Sequence, residues 1–159
     1  MNSGIVGAPK TPWHLWVVGV LSLLFFAGGV NDFLQIKPGN ADYIAQTAAN
    51  LGAPVEAVAA YFANYPLWAD IFWTFGVWGA AAGALLLLFR SRFAVHALLL
   101  SLSGLIVNTL YRYLEPFPAA QGEAAMSPVA LLSFSAIIWL SVMLVAYYAY
   151  RMTEAGVLR

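Results

Sequence analysis

The chain has 159 residues, of which 62% are hydrophobic and only 9% charged, and its formal net charge is zero. A soluble domain carries about 25% charged residues, so this composition makes a bilayer the solvent. Seven Lys and Arg in total exclude the concentrated basic face that nucleic-acid binding needs, and the lack of Cys excludes disulfides, thiol catalysis and cysteine-ligated metal.

Four stretches are apolar and free of formal charge: Trp13–Val30, Ile71–Phe89, Phe93–Tyr111 and Ser127–Tyr150. Each is close to the roughly 20 residues that cross about 30 Å of hydrocarbon. They predict an all-α polytopic membrane protein, a single four-helix transmembrane domain over residues 1–159. The first stretch has signal-peptide features, with Lys10 ahead of it and Ala27-Gly28-Gly29 at its end, and reads as a retained span. The pair Asn31-Asp32 is expected to end it at the membrane surface.

Between the first two spans, the turn sequence "KPGN" is followed by "ADYIAQTAANL", which places Tyr43, Ile44, Thr47, Ala48 and Leu51 on one helical face. Then "GAPVEAVAAYFANYP" restarts behind Pro54 with Val55, Val58, Ala59 and Phe62 at helical spacing. Two short amphipathic helices within residues 41–64 are predicted, lying on the outer membrane surface as a cap on the bundle or a lid over an outer site. Lys10, Arg90, Arg92, Arg151 and Arg159 oppose Lys37 and Arg112, an asymmetry that puts both termini in the cytoplasm.

Aromatic residues gather where spans meet the interface, among them Trp13, Trp16, Tyr147 and Tyr148 on the inner side and Tyr65, Trp68, Trp73 and Tyr111 on the outer. They read as anchors, with Trp68 and Trp73 also placed to stack on a ligand. Inside the membrane, Gly76, Gly79 and Gly83 in the second span and Ser101 and Gly104 in the third form small stripes. Such stripes permit close backbone approach where lipid removes the hydrophobic drive between helices. The two are expected to face each other, although the GxxxG of Gly79 and Gly83 equally suits a homodimer surface.

The residues that could carry chemistry separate by depth. Asn31, Asp32, Asp70, Asn108, Tyr111 and Arg112 share the outer boundary, and Arg112 is expected to pair with Asp32 or Asp70. One reading makes this cluster a lock between helix ends. The other makes it a ligand-binding vestibule, flanked by Trp68 and Trp73, for an anionic or polyhydroxyl group. His14 and His96 lie at the opposite boundary, where a bis-imidazole haem or metal site is a weaker alternative. Ser101 and Ser103 are near mid-membrane, away from every His and acid, so no catalytic residue is predicted.

The segments "GVNDF", Pro54–Phe62 in the form Pro-x-Glu-x-x-x-x-Tyr-Phe, and "YPLWADIFWTFGVWGAAAGALLLLFRSRFAVHALLLSLSG" resemble a group of small bacterial four-helix membrane proteins, some of which carry the name sugar transporter. The similarity covers residues 13–113. It implies the four-helix fold and the bacterial inner membrane, and brings no catalytic residues with it. Three functions follow from residues and resemblance together. The first is a protein binding or transporting a small solute or lipid, working as a homo-oligomer among membrane lipids. The second is an accessory subunit of a larger membrane complex. The third is a haem- or quinone-linked redox component, the only one of the three that needs a cofactor.

Overall fold

A computed structural model describes residues 10–115 and 128–159. Among the described residues there are six helices and no strand: α1 (Trp13–Ile36), α2 (Ala41–Leu51), α3 (Val55–Ala63), α4 (Leu67–Leu88), α5 (Phe93–Leu114) and α6 (Pro128–Glu154). Helices α1, α4, α5 and α6 are long and apolar enough to cross a membrane, and the chain is built as a multi-pass membrane protein. They alternate in direction, α1 packing on α4, α4 on α5 and α5 on α6, with lighter contact closing α6 back onto α1. The short helices α2 and α3 sit at one end, here the loop end. Residues 10–13, the α4–α5 turn and residues 157–159 gather at the other, the terminal end.

Asn31 and Asp32 do not end the first helix, which runs on to Ile36. At 1.5 Å per residue its 24 residues span about 36 Å, longer than the hydrocarbon requires. A polar pair near the membrane surface gives a helix no reason to stop, because water or a partner satisfies it. Nor do Gly28 and Gly29 stop it. A helical glycine costs about 1 kcal/mol, less than freeing backbone groups in lipid. Proline and a left-handed residue end the helix instead. Past Lys37-Pro38, Gly39 adopts φ +75°, its N–H bonds to Ile36 O at 3.0 Å, and the Asn40 N–H bonds to Gln35 O at 3.1 Å. The Asn40 side chain then accepts the Tyr43 N–H at 3.2 Å, so the residue that closes α1 also opens α2. The second span likewise starts at Leu67, earlier than the charge-free stretch, placing Asp70 in its first turn.

The tightest contact is between α4 and α5. A Cβ added to Gly79 would lie 2.9 Å from Ala97 O and 3.0 Å from Ser101 N, and one added to Gly104 would strike Gly76 backbone and the Phe72 carbonyl. Gly83 leaves room for the Leu98 side chain. Across this seam Ser101 Oγ donates to Gly76 O at 2.6 Å. The Ser101 hydroxyl therefore spends its polarity inside the bundle, where a fully buried polar group needs a partner.

At the terminal end α6 stops at Gly156, φ +70°, with the Val157 N–H on Met152 O at 3.0 Å. Val157 and Leu158 turn into the core beside Leu15, Leu87 and Leu98. The Arg92 N–H bonds to Arg159 O at 3.0 Å and the Arg159 N–H to Arg90 O at 2.8 Å, clasping this segment to the α4–α5 turn. Arg90 is left-handed at φ 57° and holds Thr11 Oγ1 through Nη1 at 2.6 Å, tying the start of α1 to the same turn.

Candidate functional site

Along the seam, residues change size toward the loop end. On α5 the inward stripe runs Ala97, Ser101, Gly104, Asn108, Tyr111; on α4 it runs Gly83, Gly79, Gly76, Trp73. Where the backbones meet, a Cβ at Gly79 or Gly104 would not fit. Where the stripe becomes Trp73, Asn108 and Tyr111, the Tyr65 side chain comes between the helices from the α3–α4 link. Its hydroxyl donates to Asn108 Oδ1 at 2.7 Å, while Asn108 Nδ2 donates to Gly104 O at 3.0 Å. Its ring meets Tyr111 edge-on at 4.7 Å and Trp73 at 5.8 Å. Burial raises the Tyr65 phenol well above its usual pKa, with the neighbouring Tyr61 adding to the effect and the Arg112 charge opposing it.

A ring wall extends from this point. Phe62 stacks on Trp73 at 6.0 Å, Phe33 of α1 meets Trp73 edge-on at 5.1 Å, and Trp68 meets Tyr111 at 5.5 Å. Rings at such distances gain from edge-to-face geometry beyond area burial alone. A second, smaller apolar cluster, Ile44, Ala48 and Val58 with Phe62, joins α2 to α3 above the wall.

Two polar pairs stitch α1 to the elements around it. Tyr43 Oη of α2 donates to Asp32 Oδ1. That hydrogen bond to a carboxylate is the first cause of the raised Tyr43 pKa, followed by burial, and the Asn31 amide acts in the opposite direction. Lys37 Nζ lies 2.7 Å from Asp70 Oδ1, with side-chain exposures of 37% and 19%. The Asp70 Oδ1 atom itself is enclosed, and no donor among the described residues is aligned on it as a hydrogen bond. Lys37 thus supplies the charge that faces this oxygen, a close, part-buried ion pair whose loss leaves the carboxylate without its counter-charge.

Two clefts flank the ring wall. One, of ≈ 370 Å³, lies under the α2–α3 cap and is bounded by Lys37, Gly39, Ile44, Phe62, Tyr65 and Trp73. The other, of ≈ 640 Å³, lies on the far side between α3 and the end of α5, bounded by Tyr61, Asn64, Trp68, Tyr111, Leu114 and Glu115.

The expected outer cluster is therefore divided rather than continuous. Arg112 pairs with neither aspartate: it is exposed and has no carboxylate within ion-pair distance among the described residues. The reason is angular. Asn108 faces the seam, but Arg112, one turn on, turns outward where Tyr111 takes the inward position. Lys37, read from sequence only as a topology marker, takes Asp70 instead. In the sequence Tyr43 reads likewise as a face residue and Tyr65 as an anchor. Their need to place a hydroxyl was the available sign, since a phenol on an apolar face seeks an acceptor. At the terminal end the histidines have separate contacts: His14 Nδ1 meets the Tyr148 hydroxyl, and exposed His96 lies against the Phe93 ring. No group of three His, Asp or Glu among the described residues is arranged to hold a metal ion.

No protein-family model matches the chain, and neither a curated protein nor a solved structure is similar to it at a significant level.

Proposed function

We propose that this is a bacterial inner-membrane protein that binds, and in an oligomer transports, a small anionic or polyhydroxyl solute in the cleft beneath its α2–α3 cap. The observation that carries the reading is the lining of that cleft, which sets the basic residue Lys37 and the phenol residue Tyr65 beside the aromatic residues Phe62 and Trp73. A few placed polar groups against aromatic walls are the ordinary make-up of a small-molecule site. Lys37 suits it further, because its side chain is 37% exposed and its ammonium carries three donors, with some to spare beside Asp70. With both termini cytoplasmic, as the basic residues indicate, this cleft faces the periplasm.

Thermal-shift screening of the purified protein against phosphate esters, carboxylates and sugars tests the reading. A responding solute should raise the melting midpoint in the parent and fail to do so in Lys37→Gln with the helical fold retained. No responder in either class, or a response that survives Lys37→Gln unchanged, overturns it. A reporter fused after Arg159 should be active only in the cytoplasm.

One observation favours the accessory-subunit reading as a second. A Cβ placed on Gly28 or Gly29 of α1 meets nothing within 4 Å, so bare backbone faces outward where another helix would approach closely. Native mass spectrometry from mild detergent separates a homo-oligomer from a mixed complex.

A further inference from the structure

The larger cleft lies across the Tyr65–Tyr111 wall from the capped one and has a different chemistry. Three rings border it, Tyr61, Trp68 and Tyr111, with Trp68 meeting Tyr111 at an interplanar angle of 83° and Tyr61 tilted against Tyr111 at 48°. Trp68, 49% exposed, offers part of its ring to this cleft, and an aromatic face attracts a cation more than an anion. The Glu115 carboxylate stands at the rim with no ion-pair or hydrogen-bond partner among the described residues. The Tyr61 hydroxyl donates to the Glu115 main-chain oxygen, at 3.5 Å, and not to its carboxylate.

A positive group stands near the same rim. Arg112 is exposed and unpaired among the described residues, and on α5 it lies three residues before Glu115, on an adjoining face. The charges of Arg112 and Glu115 both bear on Tyr61, in opposite senses. The cleft thus offers an anionic and aromatic pocket for a cation with an anion-binding guanidinium beside it. Its depth is that of the helix ends, in the last turn of α5 and the first of α4. Leu114 and Trp68, 63% and 49% exposed, supply apolar surface on the side where acyl chains would run.

We propose that this cleft binds the headgroup of a zwitterionic phospholipid, its primary ammonium between the Trp68 ring and the Glu115 carboxylate and its phosphate on Arg112. A volume of ≈ 640 Å³ fits a headgroup with its glycerol. An anionic lipid without an ammonium leaves the ring face and Glu115 unused and places negative charge near that carboxylate. A soluble phosphoethanolamine has the polar chemistry but forgoes the Leu114 and Trp68 contacts. The site does not depend on the solute reading of the capped cleft.

Native mass spectrometry of the full chain tests this, using an equal mixture of phosphatidylethanolamine and phosphatidylglycerol with matched acyl chains. The parent should retain phosphatidylethanolamine in excess, by roughly threefold or more. Glu115→Gln, at an exposed position, should erase that preference while leaving the melting midpoint in place. Arg112→Gln should lower retention of both lipids. N-acetylated phosphatidylethanolamine, which lacks the cation, should behave as phosphatidylglycerol does, and free phosphoethanolamine should compete weakly. Equal retention of all three lipids by the parent, or a preference that persists in both Glu115→Gln and Trp68→Phe, overturns the proposal. Full competition by free phosphoethanolamine would overturn the lipid as its source.

Discussion

The same two helices, α4 and α5, meet in two different ways along their length. In mid-membrane they touch backbone to backbone through Gly76, Gly79 and Gly104, with the Ser101 hydroxyl spent on Gly76 O. At the loop end Trp73, Asn108 and Tyr111 hold them around Tyr65, and clefts remain on both flanks. Removing side chains produces a contact that admits no ligand and tolerates little change. Filling with rings, which are large and planar and cannot tile a space completely, leaves concavities edged by polar tips. Both solutions satisfy the same demand for contact where lipid offers no hydrophobic drive.

The largest expected effect breaks the first contact. Gly104→Leu forces a side chain into Gly76 backbone and the Phe72 carbonyl, and should cost about 3 kcal/mol or more, read as loss of the folded species in detergent melts. The matching change on open backbone, Gly28→Leu, should stay within about 0.5 kcal/mol. A Gly28→Leu variant that keeps its stability but changes oligomeric mass would show that α1 has a partner helix.

Smaller effects sharpen the loop-end side. Lys37→Gln removes the cation opposite an enclosed carboxylate oxygen and should destabilise by about 1–2 kcal/mol, with part of the loss restored in the Lys37→Gln/Asp70→Asn double variant. A double variant no better than the single one would mean that Asp70 is not strained by losing Lys37. Tyr65→Phe leaves Asn108 Oδ1 without its donor, although Asn108 Nδ2 stays on Gly104 O, and should cost about 1–2 kcal/mol.

The smallest effect concerns pH. Tyr43 and Tyr65 hold their protons more firmly folded than unfolded, so their contribution is complete below the ordinary phenol pKa of about 10 and declines as pH rises through the higher folded values. Melting midpoints should show no pH dependence from these phenols between about pH 7 and 9, where both are neutral folded and unfolded, and an alkaline loss that Tyr43→Phe reduces. An equal alkaline loss in that variant would assign the effect elsewhere.

Sequence carried the spans because lipid leaves a helix few alternatives: about 20 apolar residues must cross, and α1, α4, α5 and α6 each fall on one of the four stretches. It carried the cap helices because Gly39, Gly52 and Pro54 punctuate them. It misjudged the end of α1 by reading Asn31-Asp32 as a stop, although charge near a surface does not break a helix. Depth was legible in the site, since Asp32, Asp70, Asn108 and Arg112 do lie toward one end. Azimuth was not. Which way Arg112 turns depends on Tyr111 taking the inward position, and which cation meets Asp70 depends on where Pro38 and Gly39 send the chain after Lys37. Those are consequences of packing between elements distant in sequence.

The joints of the cap have a mechanical consequence. Asn40 closes α1 and opens α2 with no residue to spare, Gly52 is held by bonds to Ala48 and Ala49, and the Tyr65 N–H after α3 returns to Phe62 O at 3.3 Å. No joint offers a run of unbonded backbone that could serve as a hinge, so α2 and α3 form a fixed roof rather than a swinging door. A solute bound as proposed would reach the cleft beneath from its flank, past Lys37 and Gly39, by rotation of exposed side chains, a picosecond-to-nanosecond motion, and not by slower backbone opening.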